Sequence, residues 1–372
     1  MRSLRQGVSL SLHPDDVGEV IRRLFMLFKT ITKDNFKELV SGIIQENETI
    51  GPKMTDKDAK GNPVYQFQQV YSFNELELDY TKTYSSIKHF FIPYKENLSV
   101  FHFSEKDWRQ EIEYEIRPRV IVGVRACDVE GLLKLDNVLM KGSFPYPYYV
   151  ARRKNTLLIG LDHDPLPDCF CQSLNSDVVE HGFDIFLTDI GEKYFMRINS
   201  SRAFNLLMNV ETSDISEEDM KEYSEQKRRI SCLFQTKVDV TGLSSLMDLE
   251  FESAVWKKWG EMCLSCGSCA MVCPTCYCYT VNEHIDVSLK TASKEKVLYS
   301  CNLVDFAEVA GGHNFRPASE SRLKYRFYHQ HRGFVESYDE PKCVGCNRCA
   351  RACPAGINPA DVINDLRMEL EL

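Results

Sequence analysis

Eight cysteines in the C-terminal third of the chain repeat one spacing twice, and they are the strongest chemical signal in the sequence. Each run has the form C-x-x-C-x-x-C-x-x-x-C-P, and the eight residues are Cys263, Cys266, Cys269, Cys273, Cys343, Cys346, Cys349 and Cys353. Two-residue gaps let a tight loop wrap one face of a cubane, and thiolates suit iron that is bridged by sulfide. The pattern therefore predicts two [4Fe–4S] clusters.

The longer gap before the last cysteine of each run directs that thiolate away from the other three. In proteins with two clusters and this spacing, the fourth cysteine ligates the opposite cluster. The ligand sets that follow are Cys263, Cys266, Cys269 and Cys353 for the first cluster, and Cys343, Cys346, Cys349 and Cys273 for the second. Structural zinc is the alternative, but zinc sites use separate C-x-x-C pairs rather than this repeated run.

Six further cysteines lie at positions that could also bind metal, and they are Cys127, Cys169, Cys171, Cys276, Cys278 and Cys301. The first three follow two apolar runs that predict neighbouring parallel strands, so they would share the sheet edge at which open α/β sheets bind ligands. Two interpretations stay open: any four of the six hold a third iron–sulfur site, or all are metal-free buried thiols. For Cys232 we favour simple packing as a buried residue.

In the metal-binding interpretation, Cys127, Cys169 and Cys171 supply three thiolates of the third cluster. One of the other three cysteines would then be the fourth ligand and would tie the two halves of the chain together. If no fourth cysteine joins them, an open iron position or an oxygen or nitrogen ligand is the better interpretation.

The elements that must position the first of these cysteines form an α/β arrangement. Arg119–Val124 and Thr156–Leu161 have the composition of buried strands, and 129–139 between them has helical spacing. Strand, helix and strand in this order predict a parallel βαβ unit. The runs 184–188 and 193–198 flank a short polar turn and predict a hairpin.

The remaining segments predict helices and loops around this unit. We expect a helix at 17–28, a loop at 51–62, an exposed helix or linker at 213–230 and a helix at 246–259 that Gly260 ends. A last helix follows Asn358 and Pro359, which suit its cap and first turn.

These expectations together define the fold class and the domains. Residues 1–245 are expected to form an α/β (α+β) domain with a parallel βαβ element. Residues 246–372 are expected to form a mainly helical dicluster ferredoxin domain, in which the 69 residues between Cys273 and Cys343 include an insertion.

A basic and aromatic segment at 313–334 lies between the two cysteine runs. Its cations are Arg316, Arg322, Lys324, Arg326 and Arg332, and aromatic residues alternate with them. A solvated helix face is the ordinary interpretation, and nucleic-acid binding lacks any recognition motif. We favour a role beside the clusters, because cations raise the potential of anionic cubanes and stabilise their reduced form.

The composition excludes several classes of protein. The chain has 372 residues and a net charge of −9, which disfavours a nucleic-acid-binding surface. No apolar run is long enough to span a bilayer, and we see no signal peptide, so we expect a cytoplasmic protein without membrane insertion. An odd total of 15 cysteines in clustered spacing indicates metal ligands in a reducing compartment rather than disulfides.

The chain also lacks the common fingerprints of substrate and nucleotide binding. It contains no G-x-G-x-x-G fingerprint, no P-loop and no G-x-S-x-G motif. We therefore name no catalytic residue and expect no complete active site in this chain.

Four segments resemble a known family. They are GVRACD at 123–128, DCFC at 168–171, CGSCAMVCPTCYC at 266–278 and AGGHNFR at 310–316. In combination they are similar to the iron–sulfur beta subunit of cytosolic sulfhydrogenases and to an iron–sulfur subunit of anaerobic sulfite reductase. The resemblance runs from about residue 60 to the end of the chain.

This resemblance implies an electron-transfer component of a larger cytosolic oxidoreductase. Such a protein relays electrons between a flavin-containing, NAD(P)-linked partner and a catalytic partner of hydrogenase, sulfite reductase or heterodisulfide reductase type. The alternative function is a catalytic sulfur or polysulfide reductase that uses a third cluster or the extra cysteines.

Overall fold

The computed structural model describes residues 27–58, 61–81, 83–112, 114 and 117–370. The helix expected at 17–28 lies outside the described residues up to position 26, and its last two residues begin a strand instead. Within the described residues, no helix has the length and apolar character needed to cross a membrane.

Eleven strands form in the described part of the chain. They are β1 (Leu27–Thr32), β2 (Glu48–Lys57), β3 (Pro63–Gln69), β4 (Lys95–Phe103), β5 (Trp108–Glu111), β6 (Arg119–Val124), β7 (Thr156–Leu161), β8 (Ile185–Asp189), β9 (Lys193–Ile198), β10 (Tyr279–Ile285) and β11 (Thr291–Leu298).

Twelve α-helices accompany these strands in the same described residues. They are α1 (Lys33–Glu46), α2 (Ala126–Leu139), α3 (Pro147–Asn155), α4 (Ser201–Leu207), α5 (Glu217–Cys232), α6 (Leu243–Leu249), α7 (Ala254–Met262), α8 (Ser268–Val272), α9 (Ser319–His331), α10 (Gly333–Tyr338), α11 (Arg348–Arg351) and α12 (Pro359–Leu370).

The larger sheet has seven strands in the order β1-β9-β8-β7-β6-β2-β3. Its four central strands, β8, β7, β6 and β2, are parallel to one another, and the outer pairs are antiparallel. The predicted βαβ unit is confirmed, because β6 and β7 pair in parallel and α2 and α3 lie between them in the chain. The predicted hairpin is confirmed by the antiparallel pair β8 and β9.

Alternate residues of the central strands enter two separate apolar cores, as strand geometry requires. Ile121 of β6 packs with Leu132 and Leu135 of α2 on one face. Val120 and Val122 pack with helix α1 on the other face. Both faces of the parallel strands are therefore covered, which leaves their carboxyl edge as the accessible place for a ligand.

The last residues of β6 contain a bulge that redirects the chain at this edge. The register with β7 shifts between Val122 and Val124, and Gly123 between them has φ +78°. A Cβ atom there would also lie 3.3 Å from side-chain atoms of Pro52 and Leu78. Glycine thus permits the bend from which α2 begins.

The second sheet joins the two halves of the chain. Its order is β10-β11-β4-β5, so two strands come from the region between the cysteine runs and two from the N-terminal half. The expectation of a mainly helical ferredoxin domain is not confirmed, because β10 and β11 belong to that segment. Helix α6 also crosses the expected boundary at 245, so the two-domain division stays a prediction.

The C-terminal helices pack around a separate core. Trp256 and Trp259 of α7, Leu323 and Phe327 of α9 and apolar residues of α12 meet there. The predicted last helix is confirmed, and the Asn358 side chain accepts a hydrogen bond from the Ala360 amide at 3.1 Å.

Three local predictions need comment. The single helix expected at 246–259 is wrong, because α6 and α7 are separated by a break after which Ser253 caps α7. Gly260 lies inside α7 rather than at its end. The loop expected at 51–62 is wrong over most of its length, because 51–57 belongs to β2 and pairs with β3. The helical alternative for 213–230 agrees with α5.

Candidate iron–sulfur centres

Four thiols line the first cavity of the ferredoxin-like part, and they are Cys263, Cys266, Cys269 and Cys353. Cys263 follows α7 directly, and Cys269 lies in the first turn of α8. Cys266 is exposed, and its sulfur is hydrogen-bonded to Ser268 at 3.4 Å, which lowers the pKa of the thiol. This cavity therefore has one thiol that reaches the molecular surface.

Four other thiols line the second cavity, and they are Cys273, Cys343, Cys346 and Cys349. Each cavity thus contains three thiols of one run and the last thiol of the other run. Burial raises the pKa of Cys343, Cys346 and Cys349 to about 12, so these three are neutral thiols until a metal displaces their protons. The ligand assignment itself stays a prediction.

The donor arrangement suits cubanes better than single ions. Among the described residues, no three His, Cys, Asp or Glu side chains are placed to hold one metal ion. The eight motif thiols instead surround two spaces, as ligands of a larger cluster do.

Arg326 of α9 lies between the two cavities and lines both. It is 7% exposed, and its guanidinium donates to Cys276 Sγ and to the Cys269 carbonyl, each at 3.4 Å. Within the described residues it makes no ion pair with a carboxylate. A buried cation without a carboxylate partner is costly unless other anions compensate it. Two thiolate-bound clusters would supply that negative charge, so the residues fit the predicted group.

The other cations of the basic segment do not share this role. Arg322 is buried but donates to backbone carbonyls, including that of Asn302 at 3.0 Å. Arg332 is paired with Asp248, and Lys324 donates to a carbonyl of Phe251. Only Arg326 of the segment therefore has the thiol contacts that the sequence interpretation required.

Two buried lysines near the second cavity were missed by the sequence interpretation. Lys88 donates to three backbone carbonyls, those of Ala270, Met271 and Cys276. The Lys342 ammonium has no hydrogen-bond partner and lies 4.1 Å from the centre of the Tyr277 ring. The position of Lys342 directly before a motif cysteine was a usable signal, but nothing in the local sequence marks Lys88.

The six additional cysteines separate into two groups of three. Cys171 is hydrogen-bonded to both Cys127 and Cys169, and these three line a third cavity. In the other group, Cys278 is hydrogen-bonded to Cys301, whereas Cys276 is hydrogen-bonded to Cys273. The members of the second group do not line the third cavity, so the structure does not place a fourth thiol from that group there. Metal binding by either group stays a prediction.

Cys232 does not pack in the core. It is the last residue of α5 and is exposed, so the expectation of a buried residue is wrong.

The loop of the second cysteine run docks directly against the N-terminal half. Arg348 makes a two-pronged ion pair with Asp128 of α2, with both N–O distances at 2.7 Å. The Phe170 amide donates to the Gly345 carbonyl at 2.8 Å, and the Asn347 amide group donates to the Asp168 carbonyl at 2.8 Å. The second and third cavities are consequently adjacent, and Cys346 lines both.

Comparisons with known proteins agree with this geometry. The family described as the 4Fe-4S dicluster domain matches residues 262–357, which contain both cysteine runs, so the chain carries two [4Fe–4S] clusters. Sulfhydrogenase 2 subunit beta of Pyrococcus furiosus is 34% identical over 348 residues, covering 92% of this chain and 99% of that protein. No solved structure matches the chain. An iron–sulfur electron-transfer protein with this extent of similarity belongs to the family of sulfhydrogenase beta subunits.

Proposed function

We propose that this chain is the electron relay of a multisubunit oxidoreductase and connects a flavin- and NAD(P)-linked subunit to a catalytic subunit. Bound [4Fe–4S] clusters accept and release single electrons, and the protein supplies their position and electrostatic environment. The observation that carries the proposal is the pair of adjacent cavities lined by four thiols each. Arg326, Phe327, Cys349 and Pro359 line both cavities, so only one layer of side chains separates them.

The proposed ligand sets are those of the crossed arrangement. Cys353 lies at the cavity of the first run and Cys273 at the cavity of the second. Two cubanes held in this way require about eight iron atoms per chain.

The surface beside the first cavity is the proposed contact with one redox partner. Cys266 is exposed there, and Leu264 beside it is 67% exposed. Met262 and Phe315 are also exposed apolar residues close in sequence to the first run or to the basic segment. An exposed ligand with apolar neighbours supports electron exchange across a protein interface at this end.

The relative's name supports a role within a complex. A protein called subunit beta of a sulfhydrogenase works with other subunits, and we extend this to the present chain, with a hydrogenase-type catalytic partner as the first expectation. The flavin and NAD(P) partner rests on the family resemblance of the sequence.

The test is anaerobic purification from the native host followed by identification of every protein in the complex. We expect a flavoprotein and a catalytic redox subunit in it. The isolated chain should take up electrons from a chemical reductant but show no turnover with NAD(P)H and a terminal acceptor. Polysulfide reduction by the isolated chain would instead favour a catalytic sulfur reductase, and one stoichiometric zinc with little iron would reject both functions.

A further inference from the structure

We propose that Cys127, Cys169 and Cys171 hold a third [4Fe–4S] cluster, and that the imidazole of His163 ligates its fourth iron. This site goes beyond the two-cluster relay and does not depend on which partners the relay serves.

The fold brings the four side chains together from two neighbouring parallel strands. Cys127 lies in the first turn of α2, just after β6 ends. His163 follows the end of β7 by two residues, and Cys169 and Cys171 come later in the same connection. Because β6 and β7 are paired in parallel, both connections leave the same edge of the sheet.

The thiols of the three cysteines are in mutual contact and shielded from solvent. Cys171 is hydrogen-bonded to Cys127 and to Cys169, and all three side chains are at most 6% exposed. Val344 packs against them in the same apolar cluster. A thiol group that is buried, converging and lined by a cavity has the environment of a protected cluster rather than of a surface thiol.

The charge around the cavity requires an anion. Arg348 is neutralised by Asp128, and Arg351 by Asp168. Arg125 also lines the cavity and is 5% exposed, but its guanidinium donates to the carbonyls of Tyr80 and Thr81 and has no carboxylate partner in the described residues. A cluster with three thiolates would place negative charge beside this cation.

His163 is the donor left for the fourth iron. Cys276, Cys278 and Cys301 do not line the cavity, and Cys346, which does, also belongs to the four thiols of the second cavity.

The carboxylates in these segments are already engaged. Asp128 binds Arg348, Asp164 binds Arg229 and Asp168 binds Arg351. His163 lines the cavity and makes none of these ion pairs. Imidazole replaces thiolate as an iron ligand in Rieske centres, where it raises the reduction potential.

The position of this site continues the electron path. Cys346 lines both the second and the third cavity, so the third cluster would lie next to the second. Replacement of one thiolate by a neutral imidazole makes the cluster less negative, so the third cluster should have a higher potential than an all-thiolate cubane.

The first test counts iron and sulfide in the complex purified anaerobically, with the chain labelled with nitrogen-15 histidine. We expect about twelve iron atoms per chain from three cubanes, and about eight in the Cys169→Ser/Cys171→Ser double variant. The Cys232→Ser variant, which changes an exposed thiol, should keep all of them. Retention of the signals of the other two clusters in the double variant shows that the chain has folded.

The second test identifies the fourth ligand. Electron–nuclear double resonance of the reduced third cluster should show a nitrogen-15 coupling, and His163→Cys should keep the iron, remove the coupling and lower the potential. An iron count of about eight in the unaltered chain overturns the third cluster but leaves the two-cluster relay standing. A full iron count without the coupling, or a coupling that persists in His163→Cys, overturns the role of His163.

Discussion

At the scale of single residues, Arg326 is the buried cation that both cluster cavities share. Arg326→Gln should lower the reduction potential of both clusters, because it removes a positive charge that favours the reduced, more negative state. At an effective dielectric constant of about 20, a charge a few ångströms away contributes on the order of 2–4 kcal/mol. Redox titration monitored by electron paramagnetic resonance measures both potentials.

Two variants serve as controls for this prediction. Arg326→Lys keeps the charge and should keep potentials close to those of the unaltered chain. Arg332→Gln removes a cation that is paired with Asp248 at the surface, and should change neither potential appreciably. Equal potentials in Arg326→Gln and the unaltered chain would show that this guanidinium does not act on the clusters.

Cys273 and Cys353 test the crossed ligation at the same scale. Cys273→Ser should perturb the cluster held by Cys343, Cys346 and Cys349, because Cys273 lines their cavity. Cys353→Ser should perturb the other cluster for the same reason. Spectra of the two variants in the reduced state distinguish the clusters, and damage in each variant to the cluster of its own run contradicts the assignment.

At the scale of elements, the loop between Cys343 and Cys346 depends on Gly345. Its φ is +64°, and an added Cβ would lie 2.5 Å from the Phe170 carbonyl oxygen. Gly345→Ala should destabilise the protein by about 3 kcal/mol, because roughly 1–2 kcal/mol of backbone strain is joined by a clash with fixed backbone.

Gly356 provides the matched control for Gly345. Its φ is +69°, but no atom lies within 4 Å of an added Cβ. Gly356→Ala should therefore cost only the backbone strain of about 1–2 kcal/mol. Thermal unfolding under anaerobic conditions compares the two, and equal losses would mean that the contact with Phe170 is unimportant.

Helix α2 carries a carboxyl group whose pKa predicts a pH effect on stability. Burial raises the pKa of Glu130 from 4.5 to about 7, against the opposing effect of Lys134. Between these values the folded state binds the proton more strongly than the unfolded state, so this group makes stability fall as pH rises from about 4.5 to about 7. Glu130→Gln should raise the unfolding temperature at pH 8 and have little effect at low pH.

The size of this effect and its contradiction are both measurable. A shift of this kind corresponds to about 2–3 kcal/mol at most. Unfolding temperatures of both chains are compared between pH 5.5 and 8. A constant difference across this range would show that Glu130 does not titrate there.

At the scale of the whole molecule, the ion pair between Asp128 and Arg348 joins the N-terminal sheet to the second cysteine run. Both side chains are almost fully buried, at 0% and 4% exposure. Asp128→Asn should destabilise the protein by about 3–5 kcal/mol, because it leaves the Arg348 charge buried without its partner. Chemical unfolding followed by cluster absorbance and by circular dichroism measures the loss.

The surface pair between Asp248 and Arg332 is the control for this prediction. Asp248 is half-exposed, so Asp248→Asn should cost about 1 kcal/mol or less. A comparable loss from both variants would mean that the buried pair does not hold the two parts together.

The sequence by itself determined the parts of this protein that depend on local spacing. The repeated cysteine runs predicted two clusters, because the gaps of two and three residues limit which sulfurs can face one cubane. The apolar runs of β6 and β7 with a helix between them predicted a parallel pair, since such a crossover has few alternatives.

Only the tertiary structure decided how distant segments meet. No local pattern shows that β11 pairs with β4, or that Lys88 reaches the carbonyls of the first cysteine run. The break between α6 and α7 was hidden because helical periodicity continues across it. The division of the six additional cysteines into two groups follows from packing between segments far apart in the chain, and spacing along the chain carries no information about such contacts.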